Sequence, residues 1–244
     1  MPTAILLAAL AASSPEPGPA AAFPQADDVL ARVRRSLPGA PVTVQGELLC
    51  GARRGKLDRA VYLDADLCLG RDAARASWTV RDRFGTPVER MSVVRTEDGR
   101  WKRDYARGPS LEAAPPPPGH TRLGESDVTW NDLNLAFLWW TGGRTARRDR
   151  FLERDCLVLE FAPPAAPRPT RLWIDEAMMA LLKVEEDDDE GRLARRLTVR
   201  TFKKIGDTWL IKDMDVRSWP EGRRTLIRLT DARAADAGPA PPPE

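Results

Sequence analysis

The chain has 244 residues, enough for one large domain or two small ones, and its 42% hydrophobic and 30% charged residues are ordinary globular composition, which excludes global disorder. Its 38 basic residues against 36 acidic ones leave a formal charge of +2, too balanced to argue for nucleic acid or an anionic membrane. No apolar run approaches the roughly 18 residues of a membrane-spanning helix.

Ala4 to Ala12 is an apolar segment of the length found in secretory signal peptides, and Ala9-Leu10-Ala11 or Ala20-Ala21-Ala22 offers small-residue cleavage sites. Met1-Pro2-Thr3 lacks the usual basic residue. Residues 1–22 therefore read as a signal peptide or a disordered leader, and the protein as exported to the periplasm. No cysteine precedes Cys50, so no lipobox cysteine is expected.

Asp27 to Leu37 reads as a helix, with Val29, Leu30, Val33 and Leu37 on one stripe, acidic residues at its start and Pro38-Gly39 as its stop. From Val42 the period changes to two. Val42, Val44, Gly46, Leu48 and Cys50 alternate with polar residues, and Val61, Leu63, Ala65, Leu67 and Leu69 give the clearest strand pattern in the chain. A loop is expected between them at 51–59. Ala76-Trp78-Val80, Val88–Thr96 and Arg100–Tyr105 continue the series, with turns at 83–87 and at Glu97-Asp98-Gly99. Short loops with no helices between strands mean an antiparallel meander.

Residues 109–119, with Pro115 to Pro118 at their centre, cannot join a ladder and read as an extended surface loop. Thr129 to Trp140 then reads as a single helix. Thr129 and Asp132 form a capping-box pair, and Gly142-Gly143 end the segment. Its far half is apolar nearly all round, so it should be enveloped by the sheet. Strands resume at 145–151, 155–162, 170–175, 181–187, 193–205, 208–216 and 223–232, with a bulge expected near Thr201 because Phe202 and Ile205 break the alternation. Residues 236–244 read as a disordered tail. About a dozen antiparallel strands must curl or split to hide their edges. The fold class is thus mainly β (α+β), with a curved antiparallel sheet, one N-terminal helix and one central helix.

Three cysteines, Cys50, Cys68 and Cys156, leave at least one thiol unpaired. In a hairpin centred near residue 55, Cys50 faces about residue 60 and Cys68 about residue 42, so no disulfide is expected between them. No CxxC occurs, and His120, the only histidine, cannot complete a zinc site. The acidic run Glu185 to Glu190 closed by Gly191 fits no register of a calcium loop and reads as a solvated turn. Arg195, Arg196 and Arg200 follow it and can pair across strands. Arg147, Arg148 and Arg150 form a second basic cluster on a strand face. No GxSxG motif appears, and no carboxylate pair stands out by its spacing. A non-enzymatic protein is expected, with no catalytic residue, no metal and no cofactor.

Several segments carry a family resemblance. Gly124-Glu125-Ser126-Asp127-Val128-Thr129-Trp130-Asn131-Asp132-Leu133-Asn134-Leu135-Ala136-Phe137-Leu138-Trp139-Trp140 is one, and Asp155 to Pro163 a second. Leu172-Trp173-Ile174-Asp175, and Phe202 to Trp209 followed by Met214, complete the set. Together with the order of elements, they resemble the outer membrane lipoprotein-sorting proteins of the LolA/LolB-like superfamily, over roughly residues 25–232. The resemblance implies an unclosed half-barrel over about 23–235, covered by helices, with an apolar cavity for acyl chains. A LolA-like member ferries lipoproteins across the periplasm. The superfamily also holds periplasmic sensors similar to RseB, which bind a protein partner, and the alternatives to a carrier are such a lipid sensor or a structural scaffold with a filled core. Candidate cavity residues are Trp78, Val80, Trp101, Phe137, Trp140, Leu159, Phe161, Trp209 and Met214. The partners implied are lipid or lipoprotein acyl chains, with membrane donor and acceptor proteins. Nucleic acid is not expected as a partner, and the protein is expected to be a monomer.

Overall fold

The computed structural model describes residues 23–52, 56–70, 74–163, 166–220 and 222–234. The leader expected over 1–22, the tail over 236–244 and the centre of the 51–59 loop lie outside the described residues.

Helix α1 spans Ala26–Ser36 and buries Ala26, Val29, Leu30 and Val33. Asp27 and Asp28 in its first turn and Arg34 and Arg35 in its last complement the helix dipole. A first run of strands follows: β1 (Val42–Ala52), β2 (Asp58–Cys68), β3 (Arg75–Arg81), β4 (Pro87–Arg95), β5 (Trp101–Arg107) and β6 (Glu112–Ala114). A second run comprises β7 (Arg144–Phe151), β8 (Arg154–Phe161), β9 (Thr170–Asp175), β10 (Ala180–Asp187), β11 (Leu193–Ile205), β12 (Thr208–Ser218) and β13 (Arg223–Ala234).

All thirteen strands form one sheet in the order β6-β5-β4-β3-β2-β1-β13-β12-β11-β10-β9-β8-β7. Each run is an antiparallel meander, and the pairing of β1 with β13 fuses the two. The free edges are β6 and β7, so the barrel is unclosed, as expected. Gly46 sits at the bulge in the β1–β13 ladder, where a Cβ would come within 2.8 Å of the Arg228 carbonyl oxygen. The β11–β12 ladder shifts register on both sides of Thr201, at the place the broken alternation indicates.

Two expectations are corrected. The 109–119 loop contains the short edge strand β6, because Glu112, Ala113 and Ala114 precede the prolines and pair with Arg107, Ala106 and Tyr105. The single helix over 129–140 is instead a one-turn helix, α2 (Trp130–Leu133), followed by a 3-10 turn at Ala136–Trp139. The Thr129–Asp132 capping box is present. Leu135 takes a left-handed conformation, φ 48°, between the two pieces. That break costs local stability, and it turns the apolar side chains toward different walls. Leu133, Leu135 and Leu138 face one way, Trp139 meets Trp101 edge-on at 5.4 Å, and Trp140 meets Phe161 at 5.6 Å. The segment between β6 and β7 is therefore a plug packed on the sheet.

The principal core joins α1, this plug and the alternate inward residues of the strands. A smaller cluster of Cys156, Val158, Trp173 and Leu182 lies apart from it. Lys183 covers part of this cluster, with its ammonium 3.4 Å from the centre of the Trp173 ring and 3.3 Å from Glu185. The described cysteines are free. Cys50 pairs with Asp58 in the β1–β2 ladder and Val42 with Leu67, close to the register expected.

Candidate functional site

The inner face carries an apolar groove bounded by α1, the plug and several strands. α1 contributes Val33 and Leu37, β3 contributes Trp78, and the plug contributes Leu133, Leu135 and Leu138. The β9–β10 turn brings Met178, and the β11–β12 hairpin brings Trp209, Leu210 and Met214. Two-residue periodicity aims Trp78, Leu210 and Met214 inward, Trp209 borders the groove from the exposed neighbouring position, and the broken plug aims its leucines at the groove. The free volume is about 90 Å³. Its mouth is marked by large apolar side chains left in water: Trp209 is 48% exposed and Met178 36%. One polar group in the wall is unmatched, since the Trp78 indole N–H is buried without an acceptor.

α1 closes one side of the groove and is held by few polar contacts. Arg34 donates to the Leu138 carbonyl at 2.6 Å, Ser36 donates to the Met179 carbonyl at 3.2 Å, and the Asp27 carboxylate accepts from the Gly142 N–H at 3.2 Å.

The plug is fixed more firmly. Arg195 on β11 is ion-paired with Asp132, and with Glu186 at 3.1 Å, and donates to the Asp127 carbonyl at 3.2 and 3.3 Å. Burial opposes the charge of Arg195, but Asp132 and Glu186 outweigh it and raise its pKa. Asp127, 1% exposed, lies between Arg122 at 3.6 Å and Arg223 at 3.7 Å.

Of the nine residues singled out from sequence, Trp78, Trp209 and Met214 line the groove. Val80 and Leu159 are packed in the core. Trp101 lies against Trp139, and Phe137, Trp140 and Phe161 form an aromatic group on the other side of the plug. Sequence reasoning missed Leu133, Leu135 and Leu138, although they stand inside the quoted segment, because a continuous helix does not send all three to one wall. It also missed Met178, which lies in a turn with no periodic signal.

Among the described residues, no group of three or more His, Cys, Asp or Glu side chains could hold a metal ion. In the acidic turn, the Asp188 carboxylate accepts from the Glu190 and Arg192 N–H groups at 3.1 and 2.8 Å, as a capping side chain does. Burial pushes the Cys156 thiol up to about 11 and also raises that of Cys50, the reverse of an activated nucleophile. Arg196 and Arg195 pair across the β10–β11 hairpin with Glu185 and Glu186. Arg147, Arg148 and Arg150 are paired with Glu160, Glu176 and Glu153.

The fold is a large, unclosed antiparallel half-barrel with a plug packed on its inner face. The structural relatives agree. The chain is similar to a DUF1329 family protein from Desulfovibrio piger, with TM-score 0.72 and 16% identity over 88% of this chain and 93% of that one. It is similar to a domain described as an outer membrane lipoprotein-sorting protein from Vibrio parahaemolyticus, with TM-score 0.71 and 16% identity over 86% and 92%. A LolA superfamily protein from Nitrosomonas europaea gives TM-score 0.65 and 13% identity over 88% and 96%. At these identities the likeness is one of fold. No curated protein matches the sequence. A family model described as "-like: Uncharacterized protein" matches residues 116–239, just over half of the chain, and the chain belongs to that family.

Proposed function

We propose that this protein is an exported, non-enzymatic carrier that shields the acyl chains of a lipoprotein or another lipid in the inner groove. In this reading residues 23–235 work as one monomeric periplasmic unit between a donor and an acceptor at the membranes. The observation that carries it is the apolar groove with Trp209 and Met178 exposed at its mouth. Each methylene withdrawn from water contributes about 0.8 kcal/mol, so six of them supply about 5 kcal/mol before ordering costs. The orphaned Trp78 N–H supports the same reading, because the ester or amide carbonyl of an acyl group is the acceptor it lacks.

The groove must widen to load. An apolar cavity of about 150 Å³ accepts only a benzene-sized guest, and the groove holds about 90 Å³. α1, with its few polar ties, and the exposed Trp209 are the parts able to move.

The test is native mass spectrometry of residues 23–244 purified without detergent and then offered a triacylated lipopeptide. A stoichiometric complex displaced by excess palmitate supports the carrier. A protein that stays empty under those conditions overturns it.

A further inference from the structure

The plug has a second side. There, Asp132, Phe137 and Trp140 face Arg168, Glu186 and Arg195 around a chamber of about 380 Å³. That volume lies in the ordinary range of small-molecule sites. None of the residues lining it lines the acyl groove, so the plug partitions the two spaces.

The chamber's charges are not all matched. The guanidinium of Arg195, 11% exposed, is committed to Asp132, Glu186 and the Asp127 carbonyl. Both carboxylates in the wall therefore share this one guanidinium. Arg122 leans on Asp127 at 3.6 Å, beyond hydrogen-bond distance, and so keeps donors to spare. Arg168 has no carboxylate partner among the described residues, although it lines the chamber. The apolar floor is equally defined. Phe137 is buried, and Trp140 is half-buried, edge-on to Phe137 at 6.3 Å and to Phe161 at 5.6 Å, and both line the chamber.

We infer that this chamber is a second ligand site, separate from the groove, for a small amphiphile carrying one oxyanion. Arg168 and Arg122 receive the carboxylate or phosphate head, and Trp140 and Phe137 receive a ring or short alkyl body. A planar guanidinium suits either oxyanion, since both offer two coplanar acceptors. An anionic head is favoured over a cationic one, because the side chain in the wall without a carboxylate partner among the described residues is an arginine, Arg168.

The experiment is isothermal titration of the full chain with 1-naphthyl phosphate and 1-naphthoate, and with 1-naphthol as the neutral control. Saturable binding of either anion, with naphthol at least tenfold weaker, is expected; which anion binds tighter identifies the head group. Exposed Arg168 can be changed without touching the core, and Arg168→Ala should weaken the anion about tenfold or more, as loss of a charge-assisted hydrogen bond does. Arg168→Lys should restore part of it. Trp209→Asp in the groove should leave anion binding unchanged. Equal binding of naphthol, indifference to Arg168→Ala, or no saturation at millimolar ligand would each overturn the inference. None of these outcomes bears on acyl binding, which Trp209→Asp tests separately.

Discussion

Arg195 on β11 grips the carboxylate of Asp132, the residue whose side chain also closes the capping box of α2. Both are nearly buried, with side chains 11% and 3% exposed. One carboxylate therefore fixes both the start of the plug and its attachment to the sheet. The Thr129 backbone N–H donates to it at 2.7 Å, and the Thr129 hydroxyl at 2.8 Å.

Replacing Arg195 strands that carboxylate in the core. Arg195→Met should lower unfolding stability by about 3–5 kcal/mol, the cost of an unpaired buried charge. Arg195→Met with Asp132→Asn removes the charge but keeps a capping oxygen, and should recover part of the loss. Urea unfolding of the two variants checks both values, and a Met variant as stable as the parent would show that the pair does not hold the plug.

The groove mouth gives a prediction that does not disturb the core. Trp209 is half exposed near the start of β12, beside the turn of the β11–β12 hairpin. Trp209→Asp should leave the melting temperature within a few degrees of the parent, since exposed substitutions usually change stability by less than about 0.5 kcal/mol. It should nevertheless weaken binding of a fluorescent acyl probe at least tenfold. Unchanged probe affinity would place acyl binding elsewhere.

α1 should behave as a lid. Its Arg34 donates to the Leu138 carbonyl of the plug across 104 residues of sequence. Arg34→Ala removes that bond, with a stability cost of about 1–2 kcal/mol. It should also raise the rate at which acyl probe enters, because α1 parts from the plug more often. Stopped-flow loading measures the rate, and a slower on-rate than the parent contradicts a lid.

The strands were legible because burial on one face writes a period of two into the sequence. Val42-Val44 and Leu63-Ala65-Leu67 show it directly, and the expected 170–175 and 193–205 strands match β9 and β11 end to end. β8 and β10 were harder in principle. Cys156-Leu157-Val158-Leu159 and Leu181-Leu182-Lys183-Val184 are buried on both faces, so their pattern is a run rather than an alternation. The plug was misread because apolarity all round satisfies a helix anywhere in a core. What decides its shape is where Leu135, Trp139 and Trp140 find partners, and those lie on strands far away in sequence. The chamber behind the plug was invisible for the same reason: Arg168, Asp132 and Arg195 are ordinary charged residues until the sheet brings them together.

A row of charge crosses the sheet through Arg144, Glu160, Arg171, Glu185 and Arg196, alternating in sign, and then meets Arg217 and Arg224. Three arginines in direct register repel one another. The balance comes from Asp215, 1% exposed, which accepts from Arg224 at 2.7 Å, Arg200 at 3.0 Å and Arg217 at 3.2 Å. Burial alone would raise its pKa, but the hydrogen bonds from Arg224, Arg217 and Arg200 outweigh that and hold it below the usual carboxylate value. A carboxyl depressed in the folded state stabilises the fold above its unfolded pKa, near 3.9, and the contribution is lost as pH falls through the folded value. Stability in urea should therefore drop as pH is lowered from about 5 toward 2. Asp175 is depressed in the same direction: burial is outweighed by the N–H groups of Met178 and Ala177 and by Arg154. Asp215→Asn should cost about 3 kcal/mol or more at pH 7 by leaving the arginine row uncompensated. It should also flatten the acid limb without abolishing it, because Asp175 remains. Adding Arg217→Thr to Asp215→Asn should regain stability by relieving the repulsion. A double variant less stable than Asp215→Asn alone would show that Arg217 acts through packing, not charge.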